Sequence, residues 1–206
     1  IIISLVNTFG TDVTAAFGIG MQVDMLATIP FMSIGMAATS IAGQNLGAHM
    51  LERVFETMRK SLYFALAIGI FCTVVLSVFP HQIGALFLEK SATNARVLEL
   101  VADYYFWMAF IFPCFAFIFV IQGILRSAGD TVALLALSFI AMFIIRIPLA
   151  YLLAGPVGFE QNGIWMAMLS SSTLAVGLNW LYYKGGRWRR KRIFEQAEAS
   201  LPENTS

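Results

Sequence analysis

The chain of 206 residues is 59% hydrophobic and only 12% charged, with a mean hydropathy of +0.77. A soluble domain carries about 25% charged residues, so this composition excludes an ordinary water-soluble globule. The net charge of +1 excludes the basic footprint of a nucleic-acid-binding domain.

The chain opens Ile-Ile-Ile without an initiating Met. Residues Ile1 to Phe9 read as the last turns of a helix already under way, and no basic region precedes them as in a signal peptide. A C-terminal fragment of a longer protein is therefore expected. Five apolar stretches follow: Val13 to Gly43, Ser61 to Phe79, Val97 to Leu125, Thr131 to Leu153 and Gly163 to Tyr183. Each is near or above the ~20 residues that a helix needs to cross a bilayer. Lipid offers no hydrogen bonds to a bare backbone, so each stretch must be helical. The expected fold is all-α, a polytopic transmembrane helical bundle over residues 1–184. A basic, then polar, tail occupies 185–206 and is expected to be disordered. Cys72 and Cys114 lie inside apolar stretches and give neither a disulfide framework nor a metal-ligand spacing.

Basic residues orient the bundle. The tail segment Lys184 to Arg192 is expected in the cytoplasm by the positive-inside rule. Alternating sides backward puts Pro156 to Asn162 outside, Arg126 to Asp130 inside, His81 to Arg96 outside, Asn45 to Lys60 inside and Gly10 to Asp12 outside. Most Lys and Arg then lie on one side, with Lys90 and Arg96 the exceptions. Leu51 to Lys60 is amphipathic and reads as an interfacial helix that starts the next span, with Glu56 and Lys60 attracting at i,i+4.

Charges inside a bilayer cost several kcal/mol unless paired or wet, and so mark function. Asp24 lies ~17 Å and Arg146 ~12 Å from the outer ends of their spans at ~1.5 Å per residue. Gln22, Asp103, Tyr104, Tyr105 and the run Ser170 to Thr173 share that layer. Gly20, Ala27 and Thr28 give Asp24 a small-residue face that permits close packing or a cavity. The layer reads as the wall of a water-filled pocket opening outward. Two roles fit its charges. Asp24 and Arg146 form a structural ion pair, or Asp24 carries a proton or cation or opposes a charged substrate. A guanidinium stays charged and is a poor proton carrier, so Arg146 reads as a partner or gate. Gln22 and Tyr105 complete the candidate substrate or coupling-ion set. No nucleophile–base pair and no metal cluster emerges, so an enzyme is not expected.

Two turn motifs lie at inner span ends. The first is Ala42-Gly-Gln-Asn-Leu-Gly-Ala48, and the second is Gly123-Ile-Leu-Arg-Ser-Ala-Gly-Asp-Thr131. Gly43, Gly47 and Gly129 suit backbone conformations closed to other residues. Gln44 and Asn45 can cap helix-end carbonyls. Arg126 can reach headgroups or those carbonyls, and Asp130 can cap the following helix. Together with Ala15-Ala-Phe-Gly-Ile-Gly20, Pro30 and Arg146-Ile-Pro-Leu-Ala-Tyr151, these motifs resemble the second half of a multidrug and toxic compound extrusion (MATE) transporter, from about Ile1 to Arg192.

The resemblance implies the C-terminal six-helix lobe of a twelve-helix, two-lobed antiporter, completed by an N-terminal lobe. It implies a multi-pass protein of the inner (plasma) membrane, surrounded by lipid, that exports small, often cationic, organic compounds. No cofactor is implied beyond the coupling H+ or Na+. One branch of the family carries a sodium-binding carboxylate near the position of Phe115; its absence points to the branch whose coupling carboxylates lie in the N-terminal half. Relatives often carry an acidic residue at the position of Asp24. A lipid-linked oligosaccharide flippase of the same superfamily and a non-transporting half-length scaffold are the alternatives. The flippase would favour more deep Arg and Lys than Arg146 alone.

Overall fold

The computed structural model describes residues 1–87 and 95–188. The connection carrying Lys90 and the tail beyond Trp188 lie outside the described residues. Within them the chain forms helices α1 (Ile2–Asn7), α2 (Thr11–Gly47), α3 (Leu51–Val78), α4 (Pro80–Ala85), α5 (Ala95–Met108), α6 (Ile111–Ser127), α7 (Thr131–Phe139), α8 (Ile147–Ala154) and α9 (Glu160–Lys184). A π-helical stretch, Ile140–Arg146, joins α7 to α8 in one rod, Thr131–Ala154. Helices α2, α3 and α9 and this rod are each long and apolar enough to cross a membrane; α5 and α6 make a fifth span if taken together, bent by 48° at their break. All five apolar stretches of the sequence are thus helical. The amphipathic segment from Leu51 continues straight into α3, and the Lys60 Nζ–Glu56 Oε1 pair at 2.7 Å lies on its exposed face.

Helix α6 is the packing centre, flanked by α2, α3 and α9. Small residues bring its neighbours to backbone contact. A Cβ placed on Gly123 of α6 would lie 2.5 Å from the Gly35 carbonyl oxygen of α2, and one on Gly35 would lie 2.8 Å from the Phe119 carbonyl oxygen. On the α3 side, a Cβ on Gly69 would lie 3.2 Å from the backbone at Phe112 and Pro113. One turn beyond each α2 and α3 glycine stands a threonine. Thr39 Oγ1 lies within donating distance of the Gly35 (2.8 Å) and Gly123 (3.1 Å) carbonyls. Thr73 Oγ1 lies likewise against the Gly69 (2.9 Å) and Ala109 (2.7 Å) carbonyls. The Ala109 bond has a clear cause. Pro113 has no N–H to give the carbonyl four residues earlier, and in lipid that oxygen needs another donor. Thr73 supplies it at the α5–α6 bend.

Two apolar clusters fill the bundle. One gathers Phe17, Phe31, Tyr104, Tyr105, Phe112 and Trp165 around the middle of α2. The other gathers Leu46, Val54, Ile124, Leu125, Leu134 and Trp188 at one end. Asp12 and Arg96 meet at the opposite end, 3.7 Å apart. Phe64 and Phe71 of α3 and Leu135 of α7 are exposed, a surface suited to lipid tails.

The turns at the Leu46–Trp188 end share one hydrogen-bond pattern. After α6, Gly129 N–H donates to the Arg126 carbonyl (3.0 Å) and Asp130 N–H to the Leu125 carbonyl (3.1 Å), with Gly129 left-handed at φ 76°. After α2, His49 N–H donates to the Leu46 carbonyl (3.2 Å) and Met50 N–H to the Asn45 carbonyl (2.8 Å). Both are Schellman closures. The left-handed residue in the second is His49, at φ 60°, so the expectation that Gly43 and Gly47 serve this purpose is corrected. Both glycines lie inside α2, and Gly43 faces Ser127 of α6. Asn45 does cap, its Nδ2 donating to the Ile41 carbonyl at 2.9 Å. Gln44 makes no capping bond among the described residues. Asp130 is the N-cap residue of α7 but makes no side-chain capping bond; its Oδ2 instead accepts from Tyr182 Oη at 2.5 Å. Arg126 is exposed.

Two stability predictions follow from these contacts. Gly123→Ala forces α2 and α6 apart and lowers unfolding free energy by about 1–3 kcal/mol, measured by unfolding of the purified protein in detergent. His49→Gly relieves a left-handed L-residue and raises stability by about 1 kcal/mol. An unchanged or lowered melting temperature for His49→Gly would contradict that assignment.

Candidate functional site

A cleft of about 430 Å³ opens beside the middle of α2, lined by residues that include Asp24, Tyr104 and Arg146. Helix α2 supplies Met21, Met25, Thr28 and Met32 to it. These stand at i, i+4, i+7 and i+11, so the helical period puts them on one face. Met108, Phe115 and Met168 come from α5, α6 and α9. The walls are therefore mostly thioether and aromatic, soft surfaces that adapt to ligand shape.

Asp24 Oδ2 accepts a hydrogen bond from the Tyr104 hydroxyl. Its Oδ1 is buried without a hydrogen-bond partner among the described residues. The Thr28 hydroxyl turns back to the Asp24 carbonyl at 2.6 Å and leaves the carboxylate alone. Tyr104 is held from three sides. Its ring meets Trp165 edge-on at 4.9 Å, Tyr105 at 5.2 Å and Phe17 at 6.1 Å. Phe17 and Trp165 stack on each other at 5.3 Å. Gly20 makes this possible, because a Cβ there would collide with the Tyr104 ring.

Arg146 ends the π-helical stretch, two residues before Pro148. A π turn adds a residue to the helical repeat and re-aims the side chains that follow. Arg146 Nε donates to Ser171 Oγ at 2.8 Å and Nη2 to Ser172 Oγ at 2.9 Å, both on α9. Ser171 in turn donates to the Met168 carbonyl at 2.9 Å. Nη1 lies 3.6 Å from the Met142 sulfur.

The structure brings Asp24 and Arg146 to one cleft but makes no ion pair between them. Each has its own hydrogen-bond partners, so the structural-pair reading of these two residues is replaced by two separate anchors. Gln22 is exposed and stands away from the cleft wall. Tyr105 is buried in the core, with its hydroxyl 3.3 Å from the Gly20 carbonyl; its neighbour Tyr104 is the one that reaches Asp24. The sequence did not distinguish the methionine face of α2 from lipid- or core-facing residues, nor did it choose between two adjacent tyrosines that both lie on the buried side of α5.

A double-mutant cycle separates the two anchors. Asp24→Asn and Tyr104→Phe couple by about 0.5–3 kcal/mol in unfolding free energy, as expected of residues in contact. Asp24→Asn and Arg146→Gln add within about 0.5 kcal/mol. The reverse pattern would restore the ion pair.

Residues 1–152 match the MatE family model. A probable multidrug resistance protein of Bacillus subtilis, YpnP, is 31% identical over 197 residues, covering 95% of this chain and 42% of the relative. Among solved structures, an inward-facing MATE-family transporter of the MOP superfamily superposes with a TM-score of 0.81 at 18% identity, covering 97% of this chain and 44% of that one. An outward-facing one gives 0.78 at 23% identity, over 91% of this chain and 41% of that one. The chain spans about two fifths of the length of the curated relatives that it matches. With nearly three quarters of its residues inside the family model, the chain belongs to the MATE family.

Proposed function

We propose that this chain is the C-terminal lobe of a proton- or sodium-coupled antiporter that exports small, often cationic, organic compounds. It works with an N-terminal lobe, across the inner membrane, and its C-terminus faces the cytoplasm. The observation that carries the reading is Asp24, a carboxylate at mid-span in a methionine-lined cleft, with one oxygen held by Tyr104 and the other without a described partner. Such a group can take up a proton, a cation or a cationic substrate, and each alternative changes the charge of the cleft wall.

Alternating access needs a lobe that moves as a unit around a site between lobes. The Gly–Thr contacts on α6 favour such a unit. Likeness to folds solved in both inward-facing and outward-facing conformations supports it too. The multidrug-resistance name of the Bacillus relative supports the choice of substrate class.

In the complete protein, Asp24→Asn lowers dye export from efflux-deficient cells by about tenfold or more, the order expected when one charge-assisted contact is lost. Asp24→Glu retains part of the activity. Export by Asp24→Asn equal to wild type at matched protein level would remove Asp24 from the mechanism.

A further inference from the structure

A second cleft of about 420 Å³ adjoins the first, and Phe17, Met21, Arg146 and Met168 line both. The guanidinium therefore stands at their common wall. Its hydrogen bonds divide it into a used edge and an open one. The side edge, Nε and Nη2, is taken by Ser171 and Ser172. At the end edge, Nη1 has the Met142 sulfur at 3.6 Å, and a thioether is a weak acceptor. The serines fix the direction of the guanidinium without supplying negative charge. No carboxylate lies within ion-pairing distance of Arg146 among the described residues.

We infer that Arg146 is an anchor for the carboxylate of an amphipathic ligand whose apolar body lies against Phe17, Met21 and Met168. This rests on the reading of the cleft as a substrate site and names compounds bearing a carboxylate as one class of its substrates. The end edge of a guanidinium presents two parallel N–H groups that match the two oxygens of a carboxylate. A fixed cation in apolar surroundings is stabilised by a ligand that brings the opposite charge. The volume of the clefts suits a drug-sized molecule. Asp24, which lines the first cleft with Arg146, tolerates a cationic group elsewhere on the same ligand, so zwitterions are accommodated.

The test compares a rhodamine with a free benzoate and its methyl ester. The two share one cationic ring system and differ in the carboxylate alone. Binding of each to the complete, purified protein is read by fluorescence anisotropy. Wild type is expected to bind the acid about tenfold more tightly than the ester. Arg146→Gln removes that preference by weakening the acid and leaves the ester within about twofold. Should Arg146→Gln not fold, Ser171→Ala/Ser172→Ala frees the guanidinium and reduces the preference by the same route.

Equal binding of acid and ester by wild type, or a preference that survives in Arg146→Gln, overturns the anchor. Export of both dyes with equal binding overturns the anchor and leaves the exporter reading intact. An Arg146-dependent acid preference in a protein that exports neither dye supports the anchor while the exporter reading fails.

Discussion

The fold depends on a backbone-to-backbone clasp around α6. Two glycine–threonine pairs, Gly35 with Thr39 and Gly69 with Thr73, hold α2 and α3 against it. In a membrane there is no hydrophobic drive to join helices, because lipid is as apolar as leucine. Association rests on close packing and on polar groups that find partners. The glycines remove the Cβ atoms that would keep the backbones apart, and the threonines bring a hydroxyl to a carbonyl across the contact. At Ala109 the same hydroxyl compensates for the N–H that Pro113 lacks, so the α5–α6 bend leaves no bare carbonyl at that position.

That bend has a consequence for the cleft. It separates the α5 segment bearing Tyr104 and Met108 from the α6 segment bearing Phe115, yet both line the same space. Tyr104 is packed by Phe17, Tyr105 and Trp165 where it meets Asp24. Rigid aromatic packing around a single polar contact is how a buried carboxylate is held in one orientation. Gly20 belongs to this arrangement by omission of a side chain, as Gly35 and Gly123 do at the clasp.

The spans were legible in the sequence because twenty apolar residues in lipid have one backbone solution. The turn after α6 was legible as well, since Gly129 stands at the left-handed position that favours glycine. Its counterpart after α2 was not. There His49 takes the left-handed conformation, while the motif glycines Gly43 and Gly47 lie inside α2. The site was legible in depth and illegible in azimuth. Counting residues from a span end placed Asp24, Arg146, Gln22 and Tyr105 in one layer. Which of them face the same space depends on helix rotation, and a π-helical stretch before Pro148 resets that rotation at Arg146. Hence Gln22 and Tyr105 fell away, while Tyr104 and the methionines joined.

The two charges of the cleft are bound in different ways to different walls. Asp24 is tied by Tyr104 to the α2–α5 wall. Arg146 is tied by Ser171 and Ser172 to α9. The hydrogen bonds of each charge thus stay within its own wall. Between the walls, Trp165 of α9 meets Phe17 and Tyr104 through ring contacts. Such contacts are individually weak, whereas a buried ion pair would leave both charges costly to part. Keeping Asp24 and Arg146 apart, each with its own neutral partners, leaves neither charge neutralised by the other.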